Sequence, residues 1–199
     1  MSDILEWDRQ LFLWLNGFHT PWLDPIILLI TNTVFWIPFF LFLAYLIFKN
    51  YGKEGWLILA GAGLTILLAD RITSGLMKPF FARLRPSHEP SLHGIVHIVG
   101  GYKGGLHGFA SSHAANTFAI ALLMWFVFKE IYKWIGFIFL WAAIIAYTRI
   151  YLGVHYPGDI IVGIFVGLVS SWVGFRFYRW LKSMRDKRNT PSVDHSHRN

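Results

Sequence analysis

Long apolar runs divide this 199-residue sequence and leave few folds open to it. A helix needs about 20 mainly apolar residues to cross a bilayer. In hydrocarbon every backbone N–H and C=O must be satisfied within the chain, so such runs become helices. We read spans at 22–48, 55–77, 109–128, 134–151 and 157–181, the first interrupted near Thr31-Asn32-Thr33 or at Pro38. The expected fold is all-α: a polytopic transmembrane helix bundle of about five spans plus an N-terminal interfacial helix over 1–20, with six spans as the alternative. Composition agrees. The chain is 55% hydrophobic and 15% charged, with mean hydropathy +0.46, whereas soluble domains carry about 25% charged residues. With no cysteine, disulfides, thiolate metal sites and cysteine nucleophiles are excluded.

The first 16 residues carry Asp3, Glu6, Asp8 and Arg9, which does not fit a cleavable signal peptide. Ile4, Leu5, Trp7, Leu11, Phe12, Trp14 and Leu15 suit the apolar face of a helix lying in the membrane interface. A short helix packed on the domain fits them equally. A net charge of +7 would suit nucleic acid, but the basic residues fall between the apolar runs and in the tail, where membrane topology explains them. Lys49, Lys53, Lys129, Lys133, Arg176, Arg179, Lys182, Arg185, Lys187 and Arg188 share one side, which the positive-inside rule makes cytoplasmic. Residues 1–181 then form the membrane domain, 86–108 an outer loop or lid, and 182–199 a basic cytoplasmic tail expected to be disordered.

Three polar clusters lie on the opposite side. Ionisable groups at membrane depth cost about 2.5–3.5 kcal/mol each on insertion scales and mark functional sites. In the first, Lys78 is followed after six residues by Arg85-Pro86; arginine grips phosphate bidentately and lysine adds a compact charge, although both also snorkel to headgroups. In the second, Ser111-Ser112-His113 opens a span, where free helix N–H groups bind anions and serine also serves as an ordinary cap. In the third, Arg149 precedes His155, Pro157 and Asp159. Pro157 suits a first helical position, which puts Asp159 in the first turn within reach of His155. A carboxylate there fixes the histidine tautomer and frees the other ring nitrogen to attack; it also complements a helix dipole. Asp70, Ser74 and Lys78 recur every four residues on one helix face, suiting a structural ion-pair or hydrogen-bond role. His93 and His97 have zinc-compatible spacing but lack partners, and no metal is expected.

These clusters resemble the three-part signature of the type 2 phosphatidic acid phosphatase superfamily: Lys-six residues-Arg-Pro, Pro-Ser-Gly-His, and Ser-Arg-five residues-His-three residues-Asp. Order and spacing match over roughly 23–181. Ala110 replaces proline, Ser112 glycine and Thr148 serine. Ser112 matters most, because the usual glycine offers a backbone N–H at close range. The resemblance implies His155 as nucleophile, Asp159 as its orienter, and His113 as acid then base. It likewise implies Lys78, Arg85, Arg149, Ser111 and the Ser112 N–H as phosphate ligands, with fixed cations in place of magnesium and no cofactor. Many members have six spans; this chain begins at the interfacial helix, which leaves its N-terminus outside.

The function this implies is metal-independent hydrolysis of a lipid phosphate or diphosphate at the outer face of a bacterial-type cytoplasmic (inner) membrane, through a phosphohistidine. Undecaprenyl diphosphate is the first choice of substrate, with lipid A or phosphatidylglycerophosphate as alternatives. Lipid-to-lipid phosphotransfer shares the same intermediate, and a non-catalytic binder or transporter of anionic lipid needs the cations but not His155 with Asp159. The partners expected are the bilayer and its lipid phosphate, with no nucleic acid and no obligate protein partner.

Overall fold

The computed structural model describes residues 2–189. Helix α1 (Ser2–Asn16) is followed by a short α2 (Asp24–Thr31) and then α3 (Ile37–Tyr51). The first expected span is therefore split, and the break falls at Asn32. Its side chain accepts the Val34 N–H at 2.9 Å and opens a 3-10 turn, Thr33–Trp36. Pro38 sits in the first turn of α3, where its missing N–H costs nothing.

Residues Thr33–Phe81 are apolar enough to cross a membrane, but a straight helix of that length would reach about 74 Å. Gly52, at φ 51°, ends α3 and reverses the chain into α4 (Gly55–Asp70). The two arms lie against each other: a Cβ at Gly55, the first residue of α4, would touch Ile47 and Phe48 near the end of α3. From α4 the chain continues through a π-helical segment (Arg71–Met77) into α5 (Lys78–Phe81). The remaining arms are α6 (Ser112–Phe128), α7 (Ile138–Tyr151) and α8 (Pro157–Asn189). Lys133–Tyr151 and Pro157–Arg188 are also long and apolar enough to span, whereas Ser112–Phe128 is shorter. Among the described residues there is no strand, only an isolated bridge between Leu84 and His107. The chain is thus an all-helical transmembrane bundle.

Helices α6 and α8 pack tightly, because Gly163 lies against the Ser111 carbonyl and Gly167 against that of Ala115. Small residues permit this approach in membranes, where van der Waals packing replaces the hydrophobic drive. The bundle core lies among Leu43, Ile58, Leu123, Met124, Phe128 and Tyr178. One end carries the basic turns: Asn50 donates to the Tyr132 hydroxyl at 3.0 Å, while Glu54 receives Lys182 at 2.8 Å, Arg185 at 3.2 Å and the Tyr178 hydroxyl. These bonds explain a correction. Residues 182–189, expected to begin an unstructured tail, continue α8 as helix because Glu54 holds Lys182 and Arg185. The rest of the expected tail, 190–199, lies outside the described residues.

Helix α1 is docked on the opposite end. Phe12 is fully buried and meets the Tyr156 ring edge-on at 5.4 Å. Asn16 donates to the carbonyls of Ile150 at 3.0 Å and Tyr151 at 2.9 Å, closing the end of α7. Its other face leaves Ile4, Trp7, Leu11 and Trp14 exposed. The helix therefore packs on the domain and presents an apolar face as well. Loop 82–111 is ordered by the buried Leu92 and Val99 and by Ser87, which donates to the Lys103 carbonyl at 2.8 Å.

Candidate active site

The π-helical turn before Lys78 directs Thr73, Ser74 and Lys78 to one point on α6, the Ser112 hydroxyl. Lys78 Nζ donates to Ser112 Oγ at 2.7 Å and to Ser74 Oγ at 3.3 Å. Thr73 Oγ1 donates to Ser112 Oγ at 3.0 Å, and Ser74 shares a 2.8 Å bond with it. Asp70 accepts from Ser74 at 3.1 Å, joining Lys78 through a relay rather than by direct pairing. The substitution of serine for the signature glycine thus supplies the hydroxyl that anchors the lysine.

Beyond α5 the chain turns at Ala82 (φ 46°), and Arg85 folds back under the loop. Arg85 is 8% exposed, with Nε donating to the His107 carbonyl at 3.1 Å. Burial, and then the nearby Arg149 guanidinium, lower its pKa, a cost that an anion would offset. Ser111 is the fully buried N-cap of α6; its Oγ accepts the Ala114 N–H at 3.4 Å and its own N–H donates to the Asp159 carbonyl at 3.0 Å. His113 follows in the first turn, within electrostatic range of Arg149, His155, Lys78 and Arg85.

Arg149, near the end of α7, is 2% exposed. Nη1 donates to Thr31 Oγ1 at 2.6 Å and Nη2 to the Tyr102 hydroxyl at 3.0 Å. Its Nε–H is buried without a partner among the described residues. A tight turn follows, in which the Val154 and His155 N–H groups both reach the Arg149 carbonyl. His155 is 1% exposed, and its Nδ1 lies 3.2 Å from Asp159 Oδ2. With Nδ1 directed at the carboxylate, Nε2 carries the free lone pair. Burial, then the charges of Arg85, Arg149 and Lys78, hold His155 well below the usual imidazole pKa, so the ring is neutral. Asp159 Oδ2 also accepts the Tyr156 N–H at 3.0 Å, and Oδ1 accepts from Arg83 Nη1 at 2.9 Å.

All eight residues singled out in the sequence therefore gather at one end of the bundle. Arg83, Asp8, Thr31 and Tyr102 were not among them. Arg83 lay inside the Lys78–Arg85 segment, and Thr31 at the suspected helix break. Asp8 and Tyr102 gave no local signal, because their partners are far along the chain. His97 goes elsewhere: its Nε2 pairs with Asp24 at 3.0 Å and its ring stacks on His19 at 3.8 Å. Among the described residues no three His, Asp or Glu side chains are grouped to hold a metal.

Beside the polar site runs a mostly apolar cavity of about 260 Å³, lined by Thr31, Thr33, Trp36, Phe40, Ile66, His113, Asn116, Thr117, Ile120, Trp141 and Ile145. Thr31 and His113 belong to both, so the site opens directly onto a slot among the helices.

Several known proteins are similar to this chain. A lipid A 4′-phosphatase of Bacteroides thetaiotaomicron is 38% identical over 194 residues, covering 96% of this chain and 84% of its own. One from Porphyromonas gingivalis is 40% identical over 187 residues, covering 92% and 78%. The crystal structure of LpxE from Aquifex aeolicus superimposes with a TM-score of 0.64 at 26% identity, covering 84% of this chain and 93% of that one. The sequence profile of the PAP2 superfamily matches residues 56–183, which take in all three clusters, and the chain belongs to that superfamily.

Proposed function

We propose that this lipid phosphatase removes a phosphate from lipid A, at the outer face of a bacterial-type cytoplasmic membrane, through a phosphohistidine on His155. The observation that carries the reading is the His155–Asp159 pair at 3.2 Å, set among Lys78, Arg85 and Arg149 and beside a cavity lined by His113. The family resemblance put undecaprenyl diphosphate first. The relatives that are 38% and 40% identical to this chain are lipid A 4′-phosphatases, which favours lipid A.

In this mechanism the phosphoryl oxygens take the charges of Lys78, Arg85 and Arg149 and the N–H groups at the start of α6. The unpartnered Arg149 Nε–H gains an acceptor. Nε2 of His155 attacks phosphorus, the P–O bond to the sugar breaks, and His113 supplies the proton to the departing oxygen. Water then enters, His113 takes its proton, the water oxygen bonds phosphorus as the P–N bond to His155 breaks, and inorganic phosphate leaves. Asp159 stabilises the imidazolium while the P–N bond exists. Fixed cations balance the charge spread over the equatorial oxygens. The lipid's acyl part occupies the apolar cavity while the sugar phosphate meets the cations. Five arms (α3, α4–α5, α6, α7 and α8) cross the bilayer, with the basic turns on the cytoplasmic side.

The test is phosphate release by purified protein in detergent with excess EDTA, from lipid A, undecaprenyl diphosphate, phosphatidylglycerophosphate and phosphatidic acid. The reading predicts release that survives EDTA, is fastest with lipid A, and vanishes in His155→Ala. A faster rate with undecaprenyl diphosphate would return that lipid to first place, and loss of activity in EDTA would end the metal-free mechanism.

A further inference from the structure

The outer cations are not alike. Among the described residues Lys78, Arg85 and Arg149 have no carboxylate bonded to them, whereas Arg83 spends both terminal nitrogens on carboxylates: Nη1 on Asp159 at 2.9 Å and Nη2 on Asp8 at 2.7 Å. Its charge is already balanced, so it is poorly suited to hold substrate phosphate. We propose that Arg83 and Asp8 are positioning residues for the nucleophile, and that α1 is part of the catalytic unit through them.

The inference rests on the roles proposed above for His155 and Asp159. Asp159 has a side chain with no solvent exposure. Its Oδ2 is taken by His155 Nδ1 and the Tyr156 N–H, so Oδ1 depends on Arg83. A buried carboxylate oxygen left without a donor costs stability and loses its fixed direction. The Arg83 guanidinium is locked in turn. It lies 4.0 Å over the Tyr156 ring, the residue next to His155 in the chain. Asp8 holds the far side of the fork.

Asp8 has a second task. Its Oδ1 accepts the Gly158 N–H at 2.7 Å, a free amide in the first turn of α8. A Cβ at position 158 would stand 2.8 Å from Asp8 Oδ2, so a larger residue between Pro157 and Asp159 would displace the Asp8 carboxylate from these bonds. One carboxylate on α1 therefore fixes both the arginine that orients Asp159 and the helix start that carries it. Phe12 seats α1 against Tyr156 beside this helix start, and Asn16 ties it to the end of α7. Its outward face, with Trp7 74% and Trp14 62% exposed, offers an apolar surface to the lipid interface. The orientation of His155 thus depends on a helix whose other contact is the membrane surface.

The experiment measures kcat and KM for phosphate release in Arg83→Gln, Arg83→Lys, Asp8→Asn and Asp8→Ala, each alone and in an Asp159→Asn background, with His155→Ala alongside. Arg83→Gln should lower kcat about 30- to 100-fold with KM within about threefold, because the loss is of orientation rather than binding. Arg83→Lys should recover part of it, and Asp8→Ala should cost about tenfold, with Asp8→Asn milder because it keeps the acceptor for Gly158. The decisive readout is coupling: in Asp159→Asn, Arg83→Gln should cost less than about threefold. Wild-type kcat in Arg83→Gln, or a raised KM at unchanged kcat, overturns the proposal. So do penalties that multiply fully in the Asp159→Asn background. Should Arg83→Gln not fold, Arg83→Lys and Asp8→Asn carry the same test. Activity in His155→Ala would sink the catalytic reading itself, whereas a dead His155→Ala beside a fully active Arg83→Gln would sink this inference alone.

Discussion

Substitution of Gly163 by alanine tests how the bundle sets the site's geometry. Gly163 sits four residues past Asp159 on α8 and faces the N-cap of α6. An added Cβ would fall 2.5 Å from the Ser111 carbonyl oxygen and 3.3 Å from Ala114 Cβ. Neither is the end of a flexible side chain. Reaching an ordinary contact of 3.4 Å requires the helices to part by about 0.9 Å. Ser111 N–H is stitched to the Asp159 carbonyl at this level, so the strain falls on the elements carrying His113, Asp159 and His155. Overpacking of this kind costs about 1–3 kcal/mol of stability, and a misplacement near 1 Å costs about 100-fold in rate. The assay is phosphate release at saturating and limiting substrate, with thermal unfolding in detergent. Gly63→Ala is the control, since a Cβ there meets nothing within 4 Å. It should keep full activity and gain up to about 1 kcal/mol from helix propensity. A Gly163→Ala protein with unchanged kcat would refute the argument that close α6–α8 packing sets the catalytic geometry, even if it unfolded earlier.

Other perturbations have equally definite outcomes. Ser112→Ala removes the hydroxyl bonding Lys78 Nζ at 2.7 Å; hydrogen bonds to charged groups are worth about 1.5–3 kcal/mol, so kcat/KM should fall at least about tenfold, and an unchanged value would show the anchor to be dispensable. Asp159→Asn should leave a small residual rate, because Asn keeps the shape but not the charge; full activity in a kinetic assay would remove Asp159 from the mechanism. Arg149→Ala should abolish turnover, and retention of more than a trace would place the phosphate elsewhere. Glu54→Gln should cost about 1 kcal/mol or less of stability, as partly exposed pairs do, read as a lower unfolding temperature, and leave kcat alone; a drop in kcat would tie that end of the bundle to the site.

The candidate site residues could be picked out because each cluster is local: Lys78 with Arg85, Ser111 with His113, and His155 with Asp159 lie within a few positions of one another at a helix end or the turn beside it. The helical, apolar character of the bundle was legible because hydrocarbon demands that such runs be helices. What escaped was long-range. Asp8 reaches Gly158 across 150 positions, and Arg149 reaches Thr31 across 118; nothing periodic marks such pairs. The Ser112 substitution looked like a weakening of the signature, yet the folded chain uses its hydroxyl to hold Lys78. The helical course of residues 182–189 was also hidden, since basic polar sequence reads as a tail until Glu54 is seen to hold Lys182 and Arg185.

The central claim is that His155 takes the phosphoryl group covalently. It is tested most directly by mixing the protein with lipid A carrying a radiolabelled phosphate, quenching in alkali within milliseconds, and mapping the label. The account predicts a labelled protein, stable to base and labile to acid, with the label on His155 and none in His155→Ala. Full turnover with no labelled protein, or a label on another residue, would contradict it.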